Sequence, residues 1–346
     1  MAESLHARLL GDEDNNNGII ERWETLVRDN TAGGIMQSVA WRAVKESQGV
    51  PSFHLGIFSG DELIGGAILY TTSKKKGLGI LVAPEGPILP WSDEGLARSA
   101  LAMIISGAKE QAREIGAIAL RIEPRLLPPP SPLLREFVRG PMDLVPYETL
   151  YIDLSRPVQD ILDSMKPKGR YNIKVAERHG VKVREDDTSA SVGAFYEVLQ
   201  QASRRDEFAV EPIEFFDKLA KVLCARGMAR FLFAEHEGDV LAAMLLVAYG
   251  QRATYLYGGT TNLKRNLMGG YALQWSAMQR AKDLGCTIYD FYGFDQFRSP
   301  EHQYARFSQF KSQFGGQPMK FIGAHDYFFE EQVADAFIRL VAEAGG

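Results

Sequence analysis

The amino-acid sequence predicts an α/β (α+β) protein made of two similar units in tandem, each a mixed, mostly antiparallel sheet flanked by helices. Three observations lead to this prediction. The same order of helical and strand periodicities occurs twice along the chain. The hairpin-turn sequence GDEL at 60–63 returns as GDVL at 238–241. In both halves a glycine, Gly116 or Gly285, ends a long helical pattern directly before a strand pattern.

In the first half, two helices precede a hairpin, a third strand, a long helix and a closing strand. The segments are GIIERWETLVRD (18–29), SVAWRAVKESQG (38–49), SFHLGIFSGDELIGGAILYTT (52–72), LGILVAP (78–84), GLARSALAMIISGAKEQAREIG (95–116) and AIALRIEP (117–124). Ser38 stands where a helix N-cap is expected, and Gly60 with Asp61 is typical of a hairpin turn. These signals place the start of the second helix and the turn of the hairpin.

The second half repeats this order. Its segments are SVGAFYEVLQQASRR (191–205), PIEFFDKLAKVLCARG (212–227), FLFAEHEGDVLAAMLLVAYG (231–250), ATYLYGG (253–259), MGGYALQWSAMQRAKDLG (268–285) and CTIYDFYG (286–293). Gly238 and Asp239 mark the hairpin turn. We therefore predict one unit over 1–145 and another over 146–319, joined near RLLPPPSPLL (125–134) or shortly after it.

The final segment, AHDYFFEEQVADAFIRLVAEAGG (324–346), has the apolar periodicity of an amphipathic helix. We expect residues 320–346 to pack back on the first unit. The order of elements in each half is that of an acyltransferase-like (GNAT-like) unit. The alternative is two unrelated α+β halves that share only a common hairpin.

Composition and charge limit the function classes. A net charge of −5 over 346 residues argues against general coating of nucleic acid but leaves a local polyanion site open. Cys224 and Cys286 form no CxxC pair, and no Cys/His cluster has metal-ligand spacing, so no metal or cofactor is predicted. No apolar run approaches the roughly 20 residues that span a bilayer, and the first residues lack a signal-peptide core. We expect a cytoplasmic protein, with peripheral contact at the inner face of the membrane left open.

Positive charge concentrates in one segment of this acidic chain. Residues 163–184 hold seven cations and two anions. Arg170, Lys174 and Arg178 recur at i, i+4 spacing along one helical face, with Lys168 close to them in sequence. Such a stripe can follow phosphates, and its contribution would weaken with salt. The alternative is a solvated helix face.

Five short motifs resemble those of the Fem family, the peptidoglycan bridge-forming aminoacyltransferases, and they occur in the family's order. They are APEGPIL (83–89), ETLYIDLS (148–155), GRYNIKVAERHGVKV (169–183), YDFYGF (289–294) and FSQFKSQFGG (307–316). The resemblance runs from about Gln37 to Phe321. Only two ordinary helices fit between Ser191 and Gly227, so the chain resembles the short members without the coiled-coil arm.

The resemblance implies transfer of an amino acid from aminoacyl-tRNA to the side-chain amine of a peptidoglycan stem peptide, with no cofactor. The acceptor would be UDP-MurNAc-pentapeptide or the lipid-linked precursor, lipid II. Since the ester is already activated, the enzyme needs positioning and oxyanion stabilisation rather than a nucleophile of its own.

Five residues take roles from the resemblance. Lys311 would stabilise the oxyanion or the 3′ end of the tRNA, and Phe310 would stack on the terminal adenine. Glu123 would be a general base; its alternative is a strand-end carboxylate paired with Arg121 or Arg125. Lys45 would contact the acceptor's phosphate. Tyr257 would contact the acceptor.

The two-residue period of a strand places Tyr255 on the same strand face as Tyr257.

One departure from the family pattern concerns the acceptor. The short members that take a nucleotide-linked acceptor carry Arg and Tyr where this chain has Glu211 and Phe215. A carboxylate cannot neutralise a pyrophosphate, so the lipid-linked precursor becomes at least as good a candidate.

Two other functions remain open. An acyl-CoA-dependent N-acyltransferase would bind pyrophosphate with a Gly-rich turn opening a helix. The nearest stretch, KRNLMGGYAL (264–273), misses that spacing at Asn266 and Tyr271. A non-catalytic protein that binds RNA or cell-wall precursors would show the same basic and aromatic features.

Overall fold

The structure is a computed structural model that describes residues 4–72, 79–186, 188–297, 304–330, 333–334 and 339. The chain forms two compact units, Met1–Tyr147 with Lys320–Gly346, and Glu148–Met319. Each unit contains one seven-stranded sheet with helices against it. The predicted class, an α/β (α+β) protein with two mixed, mostly antiparallel sheets, is confirmed.

The described helices are α1 (Ile19–Asp29), α2 (Val39–Ser47), α3 (Glu94–Ile115), α4 (Val158–Ser164), α5 (Pro167–Arg178), α6 (Val192–Asp206), α7 (Ile213–Leu219), α8 (Gly269–Asp283) and α9 (Ala305–Lys311). The described strands are β1 (Leu5–Leu9), β2 (Ser52–Ser59), β3 (Glu62–Thr71), β4 (Gly79–Pro84), β5 (Ala117–Glu123), β6 (Val138–Arg139), β7 (Glu148–Asp153), β8 (Lys182–Asp186), β9 (Ala229–His236), β10 (Asp239–Tyr249), β11 (Arg252–Thr260), β12 (Ile288–Asp290), β13 (Gln317–Lys320) and β14 (His325–Phe328). A π-helical turn, Ala220–Cys224, continues α7.

The sheet of the first unit has the strand order β1-β2-β3-β4-β5-β14-β6. Its strands pair antiparallel except β4 and β5, which are parallel. The long helix α3 packs on this sheet because its apolar residues recur every three or four positions. Ala97, Leu101, Ile104 and Ala108 form the buried stripe.

The C-terminal segment corrects one sequence prediction. His325–Phe328 is the strand β14, which pairs with β5 and with β6, although we predicted a helix over 324–346. Asp326 accepts two hydrogen bonds of 2.7 Å from the Arg121 guanidinium, and both side chains are buried. This ion pair and the ladder bonds on both sides outweigh the helical periodicity. Residues 333–334 and 339 are helical, and the others from 331 onward lie outside the described residues.

The sheet of the second unit has the order β13-β7-β12-β11-β10-β9-β8. Here too one internal pair, β11 with β12, is parallel. Alternate residues of β9 and β10 face opposite layers. Leu232 and Met244 belong to the core under α8, whereas Phe231 packs against Phe195 of α6 with ring centroids 5.0 Å apart. The sheet therefore separates an α8 layer from an α6 layer.

Local signals in the sequence have the predicted structural effect. The Ser38 hydroxyl accepts a hydrogen bond from the Trp41 amide at 3.1 Å and caps α2. Gly116 and Gly285 have φ of 72° and 82°, a left-handed conformation that glycine adopts without a Cβ clash. The predicted ends of the long helices are thus explained by backbone geometry.

Among the described residues, no helix is both long and apolar enough to cross a membrane. Nor does the described part of the chain bring together three or more side chains that could hold a metal ion.

Candidate active site

In the second unit, the parallel strands β11 and β12 pair over a short distance. The pairs are Arg252 with Ile288, Ala253 with Tyr289 and Thr254 with Asp290. β12 ends at Asp290, while β11 continues to Thr260. The two strands therefore separate beyond Thr254, and the candidate site lies at this opening.

A β-bulge sets the direction of the two tyrosines in β11. Tyr255 pairs with Leu246 of β10, and Tyr257 pairs with Leu245. Leu256 is the inserted residue between them. Adjacent residues of β10 face opposite layers, so Tyr255 and Tyr257 do as well. The prediction that they share one face is wrong, because a period-two pattern does not register an inserted residue.

The tyrosines consequently have different surroundings. Tyr255 faces the α8 layer and lines a cavity there. Tyr257 packs edge-on against Phe216 and Phe215, with ring centroids 5.0 and 6.0 Å away. Burial raises the pKa of both phenols well above the usual range, so both stay protonated. A contact of Tyr257 with the acceptor stays a prediction.

Lys311, at the end of α9, is buried, with 8% of its surface exposed. Its Nζ donates to the carbonyl oxygens of Tyr292 and Gly293, at 3.0 and 2.6 Å. The same Nζ lies 5.7 Å from the centre of the Tyr255 ring. Burial lowers the pKa of the ammonium to about 7, although the Asp290 carboxylate acts in the opposite direction. Near neutral pH this group can therefore exist in either protonation state.

The loop that contacts Lys311 is held in a strained conformation. Tyr292 has φ of 54°, a left-handed value that is unfavourable for a bulky side chain. The Asp290 carboxylate accepts a hydrogen bond from the Tyr292 amide at 2.8 Å and another from the Thr149 hydroxyl. Asp290 and Lys311 together orient the two carbonyl groups. Strain maintained by such contacts is common at functional sites.

A cavity of about 240 Å³ lies at the opening beside Tyr255. Its described lining comes from α6, the end of β11, the first turns of α8 and from α9: Ala202, Arg205, Asp206, Phe208, Tyr255, Gly258, Gly259, Thr260, Arg265, Gly270, Leu273, Gln274, Phe307 and Phe310. Phe310 is half-buried and packs edge-on against Tyr271 at 5.0 Å. The structure therefore brings Lys311, Tyr255 and Phe310 together, as three of the predicted site residues.

Sequence reasoning missed the other polar residues of this cavity, among them Arg205, Asp206 and Gln274. Arg205 forms an ion pair of 2.7 Å with Asp206, and its Nη1 also donates to the Thr260 carbonyl at 2.7 Å. Gln274 is buried and accepts a hydrogen bond of 2.6 Å from the Tyr289 hydroxyl. The signal for Gln274 in the sequence was a glutamine within an otherwise apolar helical stripe. No rule of residue spacing assigns such a glutamine to a site.

The predicted basic helix exists as α5, and its exposed face carries Lys168, Lys174 and Arg178. Tyr171 lies on this face with 62% of its surface exposed, and the Arg178 guanidinium is 5.9 Å from its ring centre. Arg170 differs from the other cations. Its Nη1 donates to the carbonyls of Met165 and Asp163, so this side chain ties the helix to the preceding turn.

Glu123 and Lys45 belong to the first unit. The two Glu123 oxygens accept hydrogen bonds from the amides of Leu144 and Val145, at 2.9 and 2.8 Å. Burial raises the pKa of Glu123 to about 7, against the lowering effect of these two bonds. The base role of Glu123 stays a prediction. Lys45 is half-buried on α2, with Nζ 5.7 Å from the centre of the Trp41 ring.

The alternative of an ion pair between Glu123 and a neighbouring arginine is wrong. Arg121 pairs with Asp326, as described above, and Arg125 pairs with Glu85 at 3.0 Å. Each of these buried cations thus has a carboxylate partner elsewhere in the same unit, which leaves the Glu123 oxygens to backbone amides.

The two residues that depart from the family pattern differ in exposure. Glu211 is exposed just before α7, whereas Phe215 is buried against Phe216 with ring centroids 5.1 Å apart. Phe215 therefore serves as a packing residue.

Comparison with known proteins adds independent information. The model of the FemAB family matches residues 21–128, and the model of the acetyltransferase (GNAT) domain matches residues 166–312. The crystal structure of FemX superposes with a TM-score of 0.83 at 18% identity, covering 96% of this chain and 99% of that one. A tandem GNAT protein from the clavulanic acid biosynthesis pathway superposes with a TM-score of 0.57 at 12% identity, covering 93% and 98% of the two chains. These structural likenesses show the fold.

Sequence relatives extend over most of the chain. The UDP-N-acetylmuramoylpentapeptide-lysine N(6)-alanyltransferase of Weissella viridescens is 24% identical over 334 residues, which cover 91% of this chain and 95% of that protein. The lipid II:glycine glycyltransferase of Staphylococcus aureus (strain MRSA252) is 20% identical over 388 residues, covering 89% and 91%. Taken with the FemAB family model and the fold, these matches support membership of the FemAB family.

Proposed function

We propose that this protein is an aminoacyltransferase of peptidoglycan synthesis, which joins an amino acid to the side-chain amine of a precursor stem peptide. The donor in this proposal is an aminoacyl-tRNA. The observation that carries the proposal is the buried Lys311 beside a cavity, in a chain that aligns over nine-tenths of its length with an alanyltransferase and a glycyltransferase acting on such precursors.

The chemistry requires few groups from the protein. The acceptor amine attacks the ester carbonyl, and a carbon–nitrogen bond forms as the carbonyl electron pair moves to oxygen. The intermediate then expels the ribose oxygen, which takes up the proton released by the amine. The site must hold the two reactants together and stabilise the oxygen that becomes negative.

Lys311 is the proposed electrostatic residue. Its ammonium and the strained 292–293 loop form one rigid arrangement next to Tyr255. A cation that is held in place before the reaction needs no reorganisation when charge develops. Phe310 and Tyr255 are the proposed aromatic walls for the 3′ end of the donor, because every base offers a face for stacking.

The exposed face of α5 is the proposed contact for tRNA phosphates. Lys168, Lys174 and Arg178 supply cations, and Tyr171 adds an exposed ring between them. This combination of charge and aromatic surface suits a nucleic-acid backbone better than a plain solvated helix. Lys45 remains the proposed contact for a phosphate of the acceptor.

The form of the acceptor is proposed as lipid-linked. The exposed carboxylate of Glu211 disfavours the nucleotide-linked form at that position, as the charge of a pyrophosphate would be repelled. A lipid-linked acceptor would bring the protein to the membrane surface as a peripheral protein.

The test is incubation of the purified protein with a set of charged tRNAs and with each of the two precursors, followed by mass spectrometry of the muropeptide. We expect a mass gain of one or more amino-acid residues on the lipid-linked precursor. No mass gain on either precursor with any charged tRNA would contradict the proposal.

One observation favours a second candidate, transfer from an acyl-CoA: the second unit matches the acetyltransferase domain model. Calorimetric titration with acetyl-CoA separates the two. We expect no heat of binding, because the turn before α8 lacks the pyrophosphate spacing at Asn266 and Tyr271.

A further inference from the structure

Gln274 is a buried polar residue whose hydrogen-bonding capacity is only half used. It lies in the second turn of α8 with 2% of its surface exposed. Its Oε1 accepts the bond from the Tyr289 hydroxyl at 2.6 Å. Its Nε2 has no hydrogen-bond partner in the part of the chain that the structure describes. The side chain also lines the cavity beside Tyr255, so Nε2 is the polar atom that it presents there.

The unpaired donor can be reached from the cavity. Although the residue as a whole is buried, Nε2 itself is not one of the fully enclosed polar atoms that lack a partner. A ligand atom that accepts its hydrogen bond would take the place of water there. Because Tyr289 fixes the other end of the amide, Nε2 keeps one direction, and this rigidity suits a group that must meet a ligand atom.

The surroundings of the amide indicate which ligand atom it meets. Leu273 and Phe310 are apolar neighbours in the cavity, and the Arg205 guanidinium is neutralised by Asp206. Arg265, the remaining cation of the lining, is exposed and can meet a solvated phosphate, whereas the buried amide offers one neutral donor. A neutral carbonyl oxygen fits, and so does the partial negative charge that such an oxygen gains during acyl transfer.

The neighbouring lysine supplies positive charge but has at most one N–H left for a direct hydrogen bond to that oxygen. Two N–H bonds of Lys311 already go to the Tyr292 and Gly293 carbonyls. The neutral Nε2–H of Gln274 has no partner among the described residues of the resting site, so it can bind the oxygen directly while the Lys311 ammonium supplies charge nearby.

We propose that Gln274 is a further catalytic residue, whose Nε2–H binds the carbonyl oxygen of the donor's aminoacyl ester. The inference rests on the proposed function. As the amine adds to the ester carbon, the carbonyl electron pair moves to the oxygen and the hydrogen bond from Nε2 strengthens. When the carbon–oxygen bond to the ribose breaks, the carbonyl re-forms, and the ribose oxygen takes the proton from the amine.

The experiment compares Gln274→Met with Gln279→Met in single-turnover transfer from charged tRNA. Gln279 is exposed on the same helix and supplies the matched control. We expect Gln274→Met to lower the transfer rate by about 10²–10³-fold, the usual loss for one oxyanion donor. The control should stay within threefold of the unaltered protein. Binding of uncharged tRNA should not change in either variant, because uncharged tRNA carries no ester.

Gln274→Glu adds a second readout and protects the test against misfolding of the first variant. The glutamate keeps an acceptor for Tyr289 but donates only when it is protonated. Its rate relative to the unaltered protein should therefore recover as the pH falls, over a range where urea denaturation shows the variant to be fully folded. A purely structural role would instead make the rate follow the folded fraction.

Three results separate the possible failures. If the unaltered protein transfers nothing from any charged tRNA, the proposed function fails first. If it transfers and Gln274→Met keeps its rate within threefold, the role of Gln274 is overturned. An equal loss in the affinity for uncharged tRNA would also overturn it, since the residue would then bind RNA rather than the ester.

Discussion

The parallel strand pairs of the two units arise from the same order of elements but differ in extent. In the first unit, β4 and β5 pair at five positions, ending with Pro84 and Glu123. In the second unit, β11 and β12 pair at three positions and end with Thr254 and Asp290, directly before the bulge at Leu256. We call the first unit closed, because its two parallel strands stay paired to their ends, and the second unit open, because its two parallel strands separate beyond Thr254.

The end of strand pairing in the second unit coincides with the candidate site. In the first unit the ends of β4 and β5 are followed by buried pairs within that unit, Glu85 with Arg125 and Glu123 with backbone amides. In the second unit the opening contains a buried lysine, a cavity and an incompletely paired amide. Pairing of strands satisfies backbone groups, so a site for substrate requires that pairing to stop.

The largest effect should come from Lys311→Met. Loss of the ammonium should reduce transfer by about 10²–10³-fold. Lys282 is the matched control, because its Nζ also donates to two backbone carbonyls, those of Leu154 and Arg156 at 2.7 and 2.9 Å, rather than to the 292–293 loop. Lys282→Met should keep transfer within threefold. Equal rates in the two variants would mean that Lys311 only ties backbone groups together.

The bulge predicts different effects for two tyrosines that are two residues apart. Tyr255→Phe should lower transfer about tenfold, because Tyr255 borders the cavity, whereas Tyr257→Phe should change it less than twofold. Tyr257→Ala should instead reduce the free energy of unfolding by about 3–5 kcal/mol, as large aromatic residues do when truncated in a core. Urea denaturation and single-turnover rates of all three variants check this. Similar rate losses in both Phe variants would contradict the opposite orientation.

How much of this could be read from the sequence depended on the length and regularity of each element. The hairpins, α3 and α8 were visible because periodicity and terminal glycines agreed over many residues. Strands β1 and β14 were missed, because four or five residues with no alternating burial give no period. The bulge at Leu256 was invisible, since YLY reads as an ordinary strand. The bonds of Arg170 to carbonyl groups depend on how the chain turns before α5, which charge spacing does not report.

Charge on α5 offers the third comparison, since no equivalent basic helix was predicted in the first unit. Lys174→Glu should weaken binding of uncharged tRNA severalfold, and the slope of log affinity against log salt should fall by about one for the lost phosphate contact. Lys221→Glu makes the same charge change at an exposed position after α7 and should have a smaller effect. Filter binding at several salt concentrations measures both. An unchanged slope for Lys174→Glu would remove α5 from the RNA contact, and binding to anionic vesicles would then be the outcome to examine.

Glu123 supplies a pH-dependent prediction for the closed unit. Its pKa rises on folding from the ordinary 4.5 to about 7, so the folded state binds more protons than the unfolded state between these values. The contribution of Glu123 to stability therefore falls as the pH rises through this window. Between pH 4.5 and pH 8 the unaltered protein should lose about 2–3 kcal/mol of unfolding free energy that the Glu123→Gln variant retains. Urea denaturation at several pH values measures this difference.

Transfer by Glu123→Gln should change little, because both carboxylate oxygens already accept backbone amides. A hundredfold loss of rate without any loss of folding would instead support the role of general base. The two readouts together decide between a base and a residue that anchors Leu144 and Val145.

The smallest effect concerns the long helices of the two units. The Asp93 carboxylate caps α3 by accepting the Leu96 amide at 3.0 Å, whereas Met268 precedes α8 with φ of 57° and provides no side-chain cap. Asp93→Ala should therefore lower the free energy of unfolding by about 1 kcal/mol, and Asp93→Asn, which retains a capping oxygen, should lower it less. Neither variant should alter transfer, because α3 belongs to the unit whose parallel strands are closed. A rate loss in Asp93→Ala at unchanged stability would mean that the first unit also contributes to the chemistry through the end of this helix.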